Sequence, residues 1–266
     1  MNASEDGFRD ESSKQKSDLM AGHWGMRNLS RRESIDRTIR SLSRKFWHQP
    51  STVAGVAGVE VETAEEAHRH TRAEIALLQD MGMEMVQIDD PHLCLFVDPD
   101  VRRKYDDPDR AADFAVDMIN ETVRGFDDVK FAVHLCRRAG ARVRGEKHHA
   151  GTYGPILKQL NNLRVRHLTM EFTAAGADDL ESLGRLREDF ELGLGVVDVT
   201  PGAPEAATLI AARVERALTR IDRKRITLNP DCGFAPGSAA RVDTDEVYLK
   251  LKAEVEAARM LRAKYA

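Results

Sequence analysis

The stretch FAVHLCRRAG, residues 131–140, places His134 and Cys136 two residues apart. On a strand or its continuation, side chains at that spacing point the same way. An imidazole and a thiol would then face one site, and both are ligand types that suit zinc. The chain has only three cysteines, so their positions carry weight. Other reactive residues close other apolar runs: Asp89-Asp90 after MEMVQI, Glu171 in LTMEF, Asp198 after LGLGVV, and Asp231-Cys232-Gly233 after RITLNP. His134, Cys136, Glu171 and Cys232 together form a tetrahedral zinc set, in which the carboxylate is the more labile ligand. Each residue also has a plain structural reading. Cys136 would be an ordinary buried cysteine, Glu171 the partner of an arginine, and Cys232 a small filler in a tight loop. The joint placement of all four on three strand ends favours the metal.

From about residue 50 onward, short strand-like runs alternate with amphipathic helical stretches. STVAGVAGVE (51–60) is followed by a helix opening on the capping box Thr63 and Glu66 and running to about Met81. Residues 83–91 read as a buried strand. Asp107-Pro108 opens a helix that stops near Gly125, with the N-cap and first-position proline expected of a helix start. Residues 129–136 form the next strand, followed by a helix around Ile156, Leu160 and Leu163. Strands at 165–172, 192–199 and 225–234 follow, separated by a helical stretch through Leu183 and a helix at 205–219 with Ile210, Val214 and Leu218 on one face. A final helix from about Asp243 is expected to bury Val247, Leu251 and Val255. This alternation predicts βαβ units and a parallel sheet of about six strands. Reactive residues at the C-terminal ends of successive parallel strands are the sequence signature of a barrel active site.

Several features are assigned to structure. DPDVRRKYDDPDR (98–110) is a loop plus helix cap, since it lacks the glycine and final glutamate of a calcium loop. Cys94 is a buried filler. His148, His149, His68 and His70 read as solvated surface. The first 50 residues, rich in Ser, Arg and Lys and helical from Glu33 to Arg44, form an N-terminal segment distinct from the domain at 51–266.

Bulk composition narrows the field. The chain of 266 residues is 42% hydrophobic and 32% charged, which suits one large domain. A net charge of −4 gives no reason to expect a nucleic-acid partner. The basic residues Arg137, Arg138, Arg142 and Arg144 are set to meet a small anionic substrate. No apolar run approaches the roughly 20 residues that cross a bilayer, and the N-terminus is polar rather than signal-like. Few, widely spaced cysteines point to the cytoplasm. There is no G-x-G-x-x-G turn and no P-loop, which leaves nucleotide-binding members of the α/β class without support.

QIDDP (87–91), HLC (134–136), the glutamate of LTMEF (168–172) and NPDCGF (229–234) occur in this order. Together they resemble the catalytic half of cobalamin-independent methionine synthase and its zinc-dependent thiol alkyltransferase relatives, over roughly residues 50–266. The HLC and DCGF wording also resembles relatives that transfer coenzyme M to epoxides. The resemblance implies a (β/α)8 barrel of the uroporphyrinogen decarboxylase type. It implies Zn2+ held by His134, Cys136, Glu171 and Cys232, and Asp89 holding the amino group of homocysteine, with Asp198 also at the substrate. The implied partners are a small thiol and a methyl or alkyl donor. A thiol of pKa about 8.5 is mostly protonated at neutral pH, and zinc would make it a thiolate; Glu171 is the ligand expected to loosen as the thiol enters.

Two departures from the family pattern stand out. Where methionine synthases carry a histidine after the Asp-hydrophobic pair, this chain has Thr200, which puts the folate donor in doubt. SEDGFR (4–9) and AGHWGM (21–26) resemble a worn form of the family's D-G-E-x-R segment, and the chain before residue 51 is short. The barrel is therefore expected to lack the first one or two strands. The N-terminal helices, a homo-oligomer or a partner subunit would have to cover the exposed edges.

Overall fold

A computed structural model of the chain describes residues 64–90, 93–137, 139–147, 149–174, 176–234 and 243–265. Helix α1 (Ala64–Asp80) leads into strand β1 (Met85–Asp89). A 3-10 turn at Leu93–Val97, the short α2 (Pro99–Arg102) and the long α3 (Pro108–Val123) then lead to β2 (Lys130–Leu135). After β2 come α4 (Ala139–Val143), a 3-10 turn at Gly154–Ile156, α5 (Leu157–Asn162) and β3 (His167–Glu171). Next are α6 (Leu180–Leu183), β4 (Glu191–Val197), α7 (Ala207–Leu218) and, after a 3-10 turn at Arg223–Arg225, β5 (Ile226–Pro230). Helix α8 (Thr244–Tyr265) closes the fold.

The five strands form one sheet in the order β1-β2-β3-β4-β5, every neighbouring pair parallel. A doubly wound sheet reverses its strand order at a switch point; this one advances by one neighbour each time, as barrel strands do. The strand expected at 51–60, the helix at 33–44 and the boundary near residue 50 lie outside the described residues. Leu77, Met81, Met83 and Met85 are exposed along the β1 side, where no described strand is paired.

Strand alternation separates two faces. Phe131, Val133, Leu135, Leu168, Met170, Leu192, Leu194 and Val196 join the hydrophobic core beneath the helices. The alternate positions carry His134, Thr169, Glu171, Gly193 and Gly195, polar or very small, and these form the other face. Chemistry-bearing residues therefore gather on the face opposite the apolar layer.

Helix starts follow the local sequence. The Asp98 side chain accepts from Asp100 N at 2.8 Å, and the Asp107 side chain accepts from Arg110 N at 2.9 Å, each just before a proline in the first turn. Residues 98–110 are thus a loop and two caps, as the sequence indicated. No helix among the described residues is long and apolar enough to cross a membrane.

Two expectations are corrected. Helix α8 does not bury Val247, Leu251 and Val255: Leu251 is 40% and Val255 49% exposed. Its inward face is one residue out of phase, through Lys250, Ala257 and Leu261. The small Ala257 side chain permits close approach to α7, and the Lys250 ammonium satisfies itself on Thr200 O (2.6 Å) and Glu246 (2.8 Å). Hydrophobicity alone chose the wrong stripe because it discounts a lysine that is buried and paired. Ala257→Leu is accordingly expected to cost about 1–3 kcal/mol in denaturant unfolding by overpacking. Leu251→Ser should stay within about 0.5 kcal/mol of the parent.

The second correction concerns histidines. His149 is buried, its Nδ1 3.3 Å from Asp98 Oδ2. His68 is half-buried, its Nδ1 3.2 Å from Thr122 Oγ1, and burial lowers its pKa. Neither is solvated surface.

Candidate metal centre

Strand β2 carries His134 on the polar face, and the chain continues in the same alternation to Cys136, just past the strand end. Cys232 arrives from the loop that follows β5. The ligand atoms of His134, Cys136 and Cys232 all lie within 4.8 Å of one another. His134 Nε2 is buried and has no hydrogen-bond partner, while Nδ1 lies 3.6 Å from Asp89 Oδ1. An imidazole with one nitrogen turned to a carboxylate and the other left open is the disposition of a metal-ligating histidine. Asp89 is brought beside His134 by the β1–β2 register, in which the two residues are direct partners.

Electrostatics reinforce the fit. Cys136 is held well below the usual thiol range, first by the hydrogen bond from Cys232 and then by His134, against the opposing effect of burial. The same Cys136–Cys232 bond, with burial, raises Cys232. Burial lowers His134, but Cys136, Asp89 and Glu171 outweigh it and leave its pKa raised. Glu171 is pushed up to about 7 by burial, then by the negative charge of Cys136 and Asp231. These groups crowd anionic sulfur and oxygen into one buried place, which a soft-tolerant dication would neutralise. The residues fit zinc.

Glu171 stands beside this trio rather than within it. Fully buried, it accepts from the Arg137 backbone N–H at 2.8 Å through Oε1 and from Arg142 Nη1 at 3.2 Å through Oε2. Asp198 is half-exposed and accepts from Thr200 N at 2.8 Å. Cys94 is fully buried, its thiol pushed up by that burial, and lies outside the trio.

Two residues whose roles here the sequence did not indicate organise the site. Asp231 is fully buried; its Oδ1 accepts from Phe172 N (2.9 Å) and Thr173 N (3.1 Å), and Oδ2 from the Thr173 hydroxyl. It thereby ties the loop bearing Cys232 to the end of β3. Arg142 contacts Glu171, Asp198 and Asp231, the last at 3.0 Å, one carboxylate after each of β3, β4 and β5 or at its end. The expected anionic substrate for the basic cluster is therefore not supported at Arg142, whose guanidinium is occupied by the protein's own carboxylates. Arg144 is likewise taken, by Glu146. Arg137 is buried against the Tyr153 ring at 4.0 Å.

Gly195 makes room for Asp231. A Cβ there would sit 2.7 Å from Asp231 Cα, Asp231 Oδ1 and Met170 O. At Gly193 it would meet only side-chain atoms, Asn229 Oδ1 and His167 Nε2. Gly195→Ala should therefore cost more stability than Gly193→Ala, about 1–3 kcal/mol in urea unfolding, and weaken zinc binding in a chelator competition, because the Cys232 loop must shift.

Comparison with known proteins identifies the family. A family model described as the catalytic domain of cobalamin-independent synthase matches residues 58–260. The chain belongs to that family. The cobalamin-independent synthase match embraces every strand among the described residues and all the candidate ligands. The chain is similar to a methionine synthase of Saccharolobus islandicus (strain L.S.2.15 / Lassen #1), 28% identical over 189 residues, or 71% of this chain and 48% of that relative. A methionine synthase of Thermococcus kodakarensis is 28% identical over 161 residues, 60% of this chain and 40% of the relative. The match thus spans about half the length of these curated relatives or less. Among solved structures, a B12-independent methionine synthase from Shewanella sp. W3-18-1 in complex with selenomethionine superposes with a TM-score of 0.57 at 18% identity. That match covers 75% of this chain and 54% of the other. It supports the fold: an α/β chain whose parallel sheet is of the synthase barrel type.

Proposed function

We propose that this chain is a zinc-dependent S-methyl- or alkyltransferase that modifies a small thiol such as homocysteine. The observation that carries the reading is the convergence of His134, Cys136 and Cys232 within 4.8 Å, on the polar face, in a member of this family. His134, Cys136 and Cys232 would hold zinc, with Glu171 as the fourth, exchangeable ligand. Bound zinc supplies the positive charge that turns a thiol into a nucleophilic thiolate near neutral pH.

The chain's own residues do the rest. Asp89, half-exposed beside His134, would both orient that imidazole and receive the ammonium group of an amino thiol. Asp198, also half-exposed and paired with Arg142, would face the substrates. Asp231 holds the Cys232 loop in place. Thr200 stands where a methionine synthase has its histidine, and a threonine hydroxyl does not donate a proton readily near neutral pH. That favours a donor other than methyltetrahydrofolate, and keeps a thiol–epoxide or other alkyl transfer as the second reading. The partner that flanks β1, whether an N-terminal segment, another copy or a separate subunit, is part of the proposal that the sheet closes.

The test begins with metal analysis of protein purified without added metal, followed by zinc K-edge X-ray absorption with and without homocysteine. About one zinc per chain, with sulfur replacing oxygen among its neighbours when the thiol is added, is the expected result. A folded protein that takes up no zinc, or zinc that ignores the thiol, overturns the reading. Methyl or alkyl donors are then screened by mass spectrometry of the thiol product.

A further inference from the structure

The Arg142 side chain is 14% exposed and lies on the five-residue α4 just after the His134–Cys136 strand end. It contacts three carboxylates brought together by three different strands: Glu171 Oε2 at 3.2 Å, Asp198 Oδ1 at 3.2 Å and Asp231 Oδ2 at 3.0 Å. Glu171 and Asp231 are fully buried, so neither has solvent to fall back on. A buried carboxylate without a partner is strongly disfavoured. A metal held by His134, Cys136 and Cys232 would therefore compete for Glu171 Oε2 with the guanidinium of Arg142.

We propose that Arg142 is a positioning residue that competes with zinc for Glu171 and receives its carboxylate when the thiol enters. This rests on the zinc–thiol reading above. In the exchange one carboxylate–zinc bond breaks and one sulfur–zinc bond forms, and the thiol proton leaves to the buffer. Glu171 then rests on Arg142 and the Arg137 N–H, the contacts it has in this structure. Asp231, on the same guanidinium, keeps Arg142 in place. The site can thus release a buried anionic ligand without stranding it.

Arg142→Gln removes the cation and Arg142→Lys keeps one. In each, the zinc dissociation constant is measured by competition with a chromophoric chelator, and the oxygen-for-sulfur exchange by X-ray absorption across a homocysteine titration. Thermal melts check folding. Arg142→Gln should bind zinc more tightly and homocysteine more weakly, each by about tenfold, the size of effect that groups touching metal ligands have; Arg142→Lys, which keeps the charge but not the planar fork, should move both constants the same way by a smaller, measurable factor. In a Glu171→Gln background, where no carboxylate remains to be traded, Arg142→Lys should leave both constants unchanged.

A folded Arg142→Gln protein with wild-type constants, or one that loses zinc, overturns the role given to Arg142. If Arg142→Gln fails to fold, the Glu171→Gln pair decides: an Arg142→Lys effect of equal size with and without Glu171 overturns it. Wild-type protein that holds zinc without exchanging oxygen for sulfur overturns the function itself. Wild-type exchange alongside equal exchange in Arg142→Gln overturns only the inference.

Discussion

Cys136→Ser and Cys232→Ser proteins are expected to leave purification with almost no zinc, whereas Cys94→Ser retains the wild-type amount. The three cysteines look alike in composition, and all are free. Their surroundings differ. Cys136 and Cys232 hydrogen-bond each other beside His134, which makes Cys136 an unusually acidic thiol; a metal ligand must be a thiolate. Serine at either position offers an oxygen that stays protonated. Small structural zinc sites release about 10–16 kcal/mol on binding, and losing one of two thiolates removes a large part of that. Cys94 is completely buried among core residues, and serine there places a hydroxyl in an apolar setting at about 1–3 kcal/mol. The two kinds of variant should therefore separate. Cys94→Ser loses stability and keeps zinc; the other two lose zinc, and with it any rise in melting temperature on adding the metal. Metal analysis by mass spectrometry and melting curves with and without zinc read both effects. Equal zinc in all three proteins would remove the metal centre.

The strands were legible because apolar runs and their reactive last residues coincide. His134 and Cys136 declare a shared face by their spacing alone, and Asp107-Pro108 declares a helix start. Cys232 is named as a ligand by its strand-end position and the family resemblance, not by spacing, since a contact across so many residues has no periodicity to betray it. Arg142 escaped for a related reason. It sits 29, 56 and 89 residues from its three partners, and in sequence it is one arginine among several. Asp231 could be seen as a strand-end residue, but its donors are two backbone N–H groups and a threonine hydroxyl at the end of β3, and nothing in NPDCGF names them. Helix α8 misled because a buried lysine occupies the place an apolar residue was expected to take. Local rules found the elements; the polar network that aims the ligands is made by tertiary contact.

That network carries the second large effect. Asp231→Ala should destabilise the protein by about 3–5 kcal/mol, the range seen when one partner of a buried ion pair is removed. The substitution leaves Arg142 with two carboxylates instead of three, leaves Thr173 N–H and the Thr173 hydroxyl without their Asp231 acceptor, and leaves Phe172 N–H with Gly195 O alone. Asp231→Asn separates these losses. Its amide oxygen can still accept from the two backbone N–H groups, and the threonine hydroxyl can rotate to accept from the amide NH2. What is gone is the charge opposite Arg142 and the acceptor that Oδ2 offers its guanidinium. Asparagine should thus recover roughly half of the stability lost by alanine, at about 1–3 kcal/mol below wild type. Zinc affinity should fall in both, because Cys232 follows Asp231 directly and its loop is fixed to β3 by that side chain, and it should fall further in alanine. Urea unfolding of zinc-free protein gives the first quantity and chelator competition the second. If alanine and asparagine lose the same stability, the backbone donors matter little and the ion pair carries the effect. If stability falls but zinc affinity holds, the Cys232 loop is fixed by something other than Asp231, and the tie from β5 to β3 does not aim the ligand.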